Sequence, residues 1–531
     1  MKGKGVSMGT RCFTLSVTSS PTFEAGGGKR RPGSIRSKLR PSGRRGEGWT
    51  SKTGFPLFFS MAFLFWAAPA FADWTVISPP SVSANWELRS VHFASPQRGW
   101  AVGKDSVSRQ GVLLQFLNGL WNPVNPPAVS PDWDLRSVHF TSDAEGWAVG
   151  RNSANRRGVL LHFQNGAWSS VAVPNVQSAD WELNSVRFTS LTEGWAVGQD
   201  FQNGRGVALH HQNGVWTQIS LPVVISSDWG LFGLHFPSAT EGWAVGTDII
   251  NRKGVILHNL NGAWSPLALP DVSADWELLG VHFSPSDGGW AVGSNLTNRE
   301  GVLLNHLEDD SWRAAAAPDI STDWELRGVH FTSATEGWAV GKDFANKRGV
   351  LLQHSPGGLW ESASPPAVSA DWELFGVHLI ASDDGWAVGR QSDGINIKGV
   401  ILRFAVPNIS VSTAVINFRD VAIGAFSDRV VTVQNTGTGD LVIGVVTPPD
   451  LPFSIASEGC SGHTLPAGTF CRVTYRFFPV GEGAFTGTSS MPSNDPDQGL
   501  VTVTLNGTGT IGPPLFIDLV APADGQGFTA C

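Results

Sequence analysis

Between about residues 73 and 404, short apolar stretches alternate with turns rich in Gly, Asn and Asp, on a repeat of 47 or 48 residues. A unit contains Asp-Trp-Glu-Leu, then Gly-Trp-Ala-Val-Gly, then Gly-Val-Leu-Leu, and ends in a polar stretch that begins at a Trp. Apolar runs of this length between turn residues predict four short strands per unit, which we name A to D. A repeat of four strands is typical of a β-propeller blade.

The Gly-Trp-Ala-Val-Gly stretch fixes the number of units. Its Trp recurs at Trp100, Trp147, Trp195, Trp243, Trp290, Trp338 and Trp386. A strand-D Trp follows in the first six units, but the last unit has none. Asp73-Trp74 begins a stretch that aligns with the strand D around Trp121. The sequence therefore predicts an all-β, seven-bladed propeller closed by its N-terminal strand, which removes the two exposed sheet edges that an open array would leave.

The repeat stops after Pro407. Alternating polar and apolar residues then predict an immunoglobulin-like β-sandwich, with strands at Ile409–Val411, Ala414–Phe418, Arg429–Asn435, Leu441–Val446, Cys471–Phe478, Gly483–Ser490 and Leu500–Leu505. We expect a propeller over 73–405, the sandwich over 406–510, and a tail over 511–531 that is either the start of a further domain or cut short. Cys460 and Cys471 are expected to form a disulfide.

Residues 1–72 have the pattern of a basic leader and signal peptide. An apolar run, Phe55 to Ala70, precedes the small-residue site Ala70-Phe71-Ala72. The run is short for the roughly 20 residues of a membrane span. We therefore expect cleavage near Ala72, export to the periplasm, cell surface or medium, and no transmembrane segment in the mature chain. An uncleaved anchor is the alternative.

Charge narrows the range of partners. The chain has a formal net charge of −8, but the first 52 residues hold twelve basic residues and two acidic ones. The remainder carries 25 basic and 43 acidic residues. An acidic body argues against nucleic-acid binding. No cofactor motif occurs, and we expect a monomer.

The repeat resembles the photosystem II stability/assembly-factor propellers of the Asp-box type, on its Gly-Trp-Ala-Val-Gly strand and the turn Asn165-Gly166-Ala167-Trp168. The turn is shorter than a full Asp box. The C-terminal region resembles Hydin-like, choice-of-anchor D modules, on Asn435-Thr436-Gly437, the stretch from Cys460 to Cys471, and Ser493-Asn494-Asp495. These resemblances imply a propeller, an immunoglobulin-like fold, and a role in assembly or adhesion.

In a propeller, the D–A links between units share one face with the B–C hairpins, and ligands usually bind there. We name ten candidate ligand residues on this face: Trp133, Asp180, Trp181, Asp228, Asp275, Asp323, Asp371, Arg156, Arg252 and Arg299. The structural alternative is that each Asp pairs with a hairpin Arg or caps strand A, and that the hairpin Asn adopts a positive φ. The functional alternative is one weak site per blade, used multivalently.

Strand A carries a His in six units and Arg187 in the third. We expect no metal site, because these His come from different blades and ring neighbours should lie too far apart. Each is expected to hydrogen-bond a neighbouring blade. Arg187, Gly230 and the long hairpin Arg390 to Lys398 break the repeat, and a unique site should involve such departures.

No catalytic motif is present, and the lone Tyr475 lies outside the propeller, where a sialidase-type nucleophile would not be. The sequence therefore predicts an exported, non-catalytic scaffold of the cell envelope that binds a protein partner. A multivalent lectin that binds a surface glycan is the first alternative, and a glycoside hydrolase-like enzyme with a blade-specific site is the second.

Overall fold

The computed structural model describes residues 74–222, 226–284, 288–355 and 357–512, and every regular element in those ranges is a β-strand. The predicted leader and signal peptide, and almost all of the predicted tail, lie outside the described residues. No helix in the described part of the chain could span a membrane.

Residues 74–405 form seven antiparallel four-stranded sheets, which we number 1 to 7 in chain order. Strands A of sheets 1 to 7 are Trp86–Ser95, Trp133–Ser142, Trp181–Phe188, Trp229–His235, Trp276–Phe283, Trp324–Phe331 and Asp371–Ala381. Strands B are Arg98–Asp105, Glu145–Asn152, Glu193–Asp200, Glu241–Asp248, Gly289–Asn295, Gly337–Asp343 and Asp384–Ser392. Strands C are Gln110–Leu117, Arg157–Gln164, Arg205–Gln212, Lys253–Leu260, Glu300–His306, Arg348–His354 and Ile397–Ala405. Strands D of sheets 1 to 6 are Leu120–Val124, Ala167–Val171, Val215–Ile219, Ala263–Pro266, Trp312–Ala314 and Trp360–Ser362.

The fourth strand of sheet 7 comes from the start of the described chain. Trp74–Ile77 pairs antiparallel with Ile397–Ala405, and Trp74 stands opposite Phe404. Sheet 7 also contacts sheet 1, where Trp386 stacks on Phe93 with ring centroids 5.3 Å apart. The prediction that the strand around Trp74 supplies the fourth strand of the last sheet is therefore confirmed.

The recurring glycine-tryptophan stretch is part of the scaffold. Trp100 stacks on Phe140 of the next sheet, with centroids 5.5 Å apart, and fills the space between the sheets. The register of strands A and B shifts by one residue between Leu88 and Ser90. A Cβ on Gly103, beside this bulge, would lie only 1.9 Å from the Glu87 carbonyl oxygen. Only Gly fits there, which explains the last residue of the stretch.

Residues 409–510 form the predicted sandwich. One sheet has the strand order Ile409–Val411, Ser427–Asn435, Phe470–Phe477 and Phe453–Glu458, and the other has Val415–Ala422, Leu500–Thr510 and Gly483–Pro492. A two-stranded ladder joins Leu441–Val442 to Thr464–Leu465. Tyr475 is buried in the core and donates to Ser489 Oγ at 2.9 Å. The predicted disulfide between Cys460 and Cys471 is confirmed.

A short segment joins the last propeller-type strand to the sandwich, and a sandwich loop holds it. Val406 N donates to the Asp383 carbonyl at 3.1 Å. Thr438 N donates to the Val406 carbonyl at 2.8 Å, and Thr438 Oγ1 donates to the Asp383 carbonyl at 2.5 Å. This loop contains the Asn435-Thr436-Gly437 stretch on which the resemblance of the C-terminal region rests.

Candidate functional site

The D–A links and the B–C hairpins meet on one face, as expected. The Trp181 N–H donates to the Arg156 carbonyl at 2.9 Å, and this joins the link before sheet 3 to the hairpin of sheet 2. Arg156 itself adopts the positive φ of the hairpin, at 61°, and Arg252 and Arg299 do the same. The expectation that the preceding Asn takes this conformation is wrong. The Asn side chain instead bonds the start of the hairpin, as Asn251 Nδ2 does to Asp248 Oδ2 at 2.8 Å.

Most of the candidate Asp residues are held in ion pairs. Asp180 pairs with Arg156 and also accepts from Arg151 at 2.9 Å. The equivalent pairs are Asp275 with Arg252, Asp323 with Arg299, and Asp371 with Lys342. The hairpin Arg candidates and these Asp candidates therefore form ion pairs between neighbouring sheets rather than line an open pocket.

Asp228 is the exception among the candidate carboxylates. The hairpin that faces it carries Gly204, with φ 62°, where five of the other hairpins carry Arg or Lys and the hairpin of sheet 7 carries Gly394. Among the described residues, no cation lies within ion-pair distance of Asp228.

The two Trp candidates need correction. Trp133 is 0% exposed and Trp181 is 1% exposed. A Cβ on Gly111 of sheet 1 would lie 2.4 Å from the Trp133 ring, so the indole packs directly on the preceding sheet. Both side chains belong to the core and offer no surface on which a sugar could stack.

A second set of carboxylates surrounds the inner end of the same face. Each follows the Trp of a strand A, and we call the set the acidic ring: Glu87, Asp134, Glu182, Glu277, Glu325 and Glu373, with Gly230 at the position in sheet 4. The candidate residues chosen from the sequence did not include it. The signal was there, because Glu or Asp follows this Trp in six of the seven units and Arg follows two residues later in three.

Arginines bridge the acidic ring from sheet 6 through sheets 7, 1 and 2 to sheet 3. Arg89 donates from Nε to Glu87 Oε1 at 2.8 Å, and its Nη1 lies 3.3 Å from Asp134 Oδ1. The other bridges are Arg136 between Asp134 and Glu182, Arg327 between Glu325 and Glu373, and Arg390 between Glu373 and Glu87. Partly buried carboxylates need such partners, since an unpaired buried charge is destabilising.

The bridging stops in sheets 4 and 5. The positions equivalent to Arg89 hold Phe232 and Leu279, both half-buried. Their strands touch, because a Cβ on Gly233 would lie 3.0 Å from the Leu279 carbonyl oxygen. The Glu277 side chain forms no ion pair or hydrogen bond with any residue that the structure describes. We call Asp228, Phe232, Glu277 and Leu279 the open sector.

Phe375 of sheet 7 shows what the open sector lacks. It occupies the same strand-A position as Phe232, but the guanidinium of Arg327 lies 4.8 Å from its ring centroid and that of Arg390 lies 5.6 Å away. Two cations cover this aromatic ring, whereas no cation–π contact is made to Phe232 within the described residues. The open sector therefore combines an uncovered apolar surface with unpaired carboxylates.

The charge of Glu277 is unfavourable where it stands. Burial raises the pKa of Glu277, and the nearby Glu325 carboxylate raises it further. Arg327 lowers this pKa but lies beyond ion-pair distance. A cation brought to Glu277 would stabilise the carboxylate.

Cavities lie under the D–A links beside the open sector. One, of about 550 Å³, is lined by Gly204, Ser226, Ser227 and Trp229 among others. The equivalent cavity one sheet further on, of about 570 Å³, has a more apolar lining that includes Leu267 and Leu269.

The strand-A His residues pack against one another from sheet to sheet, and Arg187 occupies their position in sheet 3. His92 Nδ1 accepts from Phe140 N of the next sheet at 3.3 Å, so the expected bond to a neighbouring blade is confirmed. The expectation that ring neighbours lie far apart is wrong, since neighbouring imidazole centroids are 4.1 to 4.5 Å apart. No group of three or more metal-ligating side chains occurs among the described residues.

Comparisons with known proteins agree with both resemblances drawn from the sequence. The family model described as ASH, for abnormal spindle-like microcephaly-associated, ASPM-SPD-2-Hydin, matches residues 403–499. A structure of YCF48 bound to D1 peptide is 18% identical over 62% of this chain and 94% of its own, with a TM-score of 0.45. YCF48 from Cyanidioschyzon merolae is also 18% identical over 62% of this chain and 98% of its own, with a TM-score of 0.44.

The sandwich has its own structural match. The ASH/PapD-like domain 7 of human CEP192 is 16% identical over 20% of this chain and 87% of its own, with a TM-score of 0.17. No curated protein matches the chain. The described chain is thus seven four-stranded β-sheets followed by a β-sandwich, and the ASH family model matches the region of that sandwich.

Proposed function

We propose that this chain is a non-catalytic scaffold that binds a polypeptide, and that the open sector is its recognition site. The seven sheets would form one closed propeller, in which Trp74–Ile77 completes the last blade. A partner segment with a Lys or Arg beside an apolar side chain would place its cation on Glu277, and its apolar group on Phe232 and Leu279.

The observation that carries this proposal is the interruption of the Arg bridges at sheets 4 and 5. Elsewhere around the acidic ring, each carboxylate is neutralised and Phe375 is covered by guanidinium groups. A surface that combines uncovered apolar groups with unpaired charge favours a partner that supplies the missing charge. The alternative readings have less support, because a lectin would lose Trp133 and Trp181 as stacking platforms.

We also propose that the mature protein is exported and works at the cell envelope. The apolar run before Ala72 has the pattern of a signal peptide, which favours export. The disulfide between Cys460 and Cys471 favours an oxidising compartment outside the cytoplasm. Expression in a bacterial host, fractionation, and N-terminal sequencing would test this. A mature protein that begins at Asp73 in the exported fraction is expected, and an unprocessed chain in the cytoplasm would contradict it.

The binding proposal can be tested with a displayed library of random twelve-residue peptides. Selection is run in parallel on the full chain and on its Phe232→Arg variant, which inserts the Arg found at this position in three other sheets. We expect peptides with a Lys or Arg next to an apolar residue to be enriched on the wild type. Calorimetry should show a loss of affinity of about tenfold or more in the variant, equivalent to about 1.4 kcal/mol.

Phe375→Arg is the matched control, because it makes the same exchange at the same strand position in sheet 7. It should leave peptide affinity unchanged. Enrichment of the same peptides on both targets, or equal loss in both variants, would place recognition elsewhere. A glycan array probed with the same proteins separates the lectin alternative, which predicts binding that Phe232→Arg does not affect.

A further inference from the structure

Apolar side chains open the B–C hairpins of four consecutive sheets. The residue directly after strand B is apolar in sheets 3 to 6, and we call these four residues the crescent: Phe201, Ile249, Leu296 and Phe344. They are 42% to 51% exposed. The same position holds Asp393, Ser106 and Ser153 in sheets 7, 1 and 2. The hairpin therefore accepts a polar residue here, and its own fold does not require the apolar one.

Main-chain hydrogen bonds fix the crescent beside the D–A links. Each residue donates its N–H at 2.8 or 2.9 Å to an Asp carbonyl in the link before its own sheet: Phe201 to Asp180, Ile249 to Asp228, Leu296 to Asp275, and Phe344 to Asp323. The guanidinium of Arg151 lies 4.7 Å from the ring centroid of Phe201, so that end of the crescent is partly covered. Residues held in place by the main chain need little further ordering when they bind a ligand.

The hairpin of sheet 4 joins the crescent to the open sector. Its first residue, Ile249, is bonded to the link at Asp228. Near the end of the same hairpin, the Arg252 carbonyl accepts the Trp276 N–H at 3.0 Å, and Glu277 is the next residue. This hairpin therefore contacts the main chain beside both unpaired carboxylates. The crescent and the open sector border each other there.

The crescent occupies the same sheets between which the Arg bridges of the acidic ring are missing. Those bridges run from sheet 6 through sheets 7, 1 and 2 to sheet 3. Within the described residues, no such bridge joins sheet 3 to 4, 4 to 5, or 5 to 6. Strand A and the hairpin are separate parts of each unit, yet both depart from the repeat on the same side of the face. Exposed apolar groups on either side of unpaired charge fit a ligand with apolar groups on both sides of a cation.

We propose that the crescent and the open sector together bind one extended polypeptide segment, which has a central Lys or Arg and apolar side chains both before and after it. The central cation lies on Glu277, as in the peptide-binding proposal on which this inference rests. The flanking apolar side chains pack on Ile249 and Leu296, with Phe201 and Phe344 at the two ends of the surface. A lipid surface fits less well, because the Glu277 carboxylate would repel anionic headgroups.

The probes are peptides of about 20 residues, selected on the full chain from a library with Lys fixed at the centre and random residues elsewhere. The test variant combines Ile249→Ser with Leu296→Ser, because sheets 1 and 2 have Ser at this position and keep the hairpin. Calorimetry should show that the selected peptides lose about tenfold or more in affinity for this double variant. Removing the apolar residues from one flank of a peptide should weaken its binding to the wild type, and should have much less effect with the double variant.

Val107→Ser is the matched control, because it removes an exposed apolar side chain from the hairpin of sheet 1, outside the crescent. It should leave peptide affinity unchanged. If the peptides lose affinity for Phe232→Arg but bind the double variant as they bind the wild type, the crescent is overturned and the open sector stands. If no peptide prefers the wild type to Phe232→Arg, both proposals are overturned. Binding to phosphatidylcholine vesicles that the double variant abolishes would show that the crescent contacts lipid instead of a polypeptide.

Discussion

Trp74 stands opposite Phe404, so the first described strand is paired with the last strand of the repeat array. Trp74 is 3% exposed and packs edge-on against Trp338, with centroids 5.2 Å apart. Trp360 holds the equivalent place in sheet 6 and packs edge-on against Trp290, also at 5.2 Å. The strand Trp74–Ile77 therefore uses the same packing as a strand D of another sheet.

Replacing Trp74 with Ala should lower the free energy of unfolding by about 3 to 5 kcal/mol, because a large aromatic side chain leaves a cavity. Trp360→Ala is the matched control and should have a similar effect. The measurement is denaturant unfolding followed by Trp fluorescence. If Trp74→Ala were as stable as the wild type while Trp360→Ala was destabilised, the strand Trp74–Ile77 would contribute nothing to the free energy of unfolding.

The strand-A His residues should make the protein sensitive to mild acid. Burial lowers the pKa of His378 to about 3 and holds those of the other strand-A His residues well below the unfolded value of 6.5. Below about pH 6.5 these His residues therefore bind protons in the unfolded chain but stay neutral in the folded chain. Stability is full above that pH and is lost as pH falls towards 3, by up to about 1.4 kcal/mol per pH unit for each His.

Unfolding measured between pH 7.5 and 5.0 checks this sign. His330→Asn is a suitable comparison, because its amide oxygen can accept the Leu379 N–H that His330 Nδ1 accepts at 3.3 Å. The variant should show a shallower pH dependence, by about one proton. An unchanged slope would mean that His330 titrates normally in the folded chain.

Glu277 should destabilise the fold at neutral pH. Its pKa is raised by burial, so ionisation above the unfolded pKa costs stability. Glu277→Gln should raise the free energy of unfolding by about 1 kcal/mol at pH 7, and the gain should shrink as the pH falls through the carboxyl range. Calorimetric Tm values at pH 7 and pH 4 provide the measurement.

Glu325→Gln is the control for that change. Glu325 occupies the same strand position but pairs with Arg327, so its loss should destabilise the protein. Opposite signs for the two variants are expected. A loss of stability in Glu277→Gln would mean that this carboxylate has a favourable partner.

The disulfide should stabilise the sandwich. It closes a short loop between Cys460 and Cys471, at a sequence separation of 11. Replacing both residues with Ala should lower the stability of this part by about 2 to 3 kcal/mol, because the unfolded chain gains freedom. The sandwich contains no Trp, so Trp fluorescence reports only on the four-stranded sheets. The unfolding transition followed by Trp fluorescence should therefore be unchanged, and it serves as an internal control.

The predicted strands of the sandwich show where sequence patterns fail. Ile409–Val411 is found as expected. Phe453–Glu458 was missed, because it lies at the edge of its sheet and only its first residue is buried, so it lacks a clear alternation. The predicted strand Leu441–Val446 shortens to Leu441–Val442, since Ile443 forms only an isolated bridge to Ser493 instead of continuing the ladder.

The candidate site was only partly visible in the sequence. The face and the Asp–Arg pairs follow from the repeat, because every unit presents the same groups at the same point. Gly230 and Arg187 were recognised as departures. Phe232 and Glu277 were not, since Phe and Glu at these positions also occur in paired surroundings, as Phe375 and Glu325 show.

The sequence alone determined the four-stranded units, their number, and the displaced strand that completes the last sheet, because each depends on local periodicity and on residues that recur at fixed intervals. The tertiary structure decided which carboxylates are neutralised, that the Asp-Trp indoles are buried, and that Arg187 contacts His235 of the next sheet. Those features depend on side chains from neighbouring sheets, which lie about 48 residues apart in the chain and interact only after the sheets have packed.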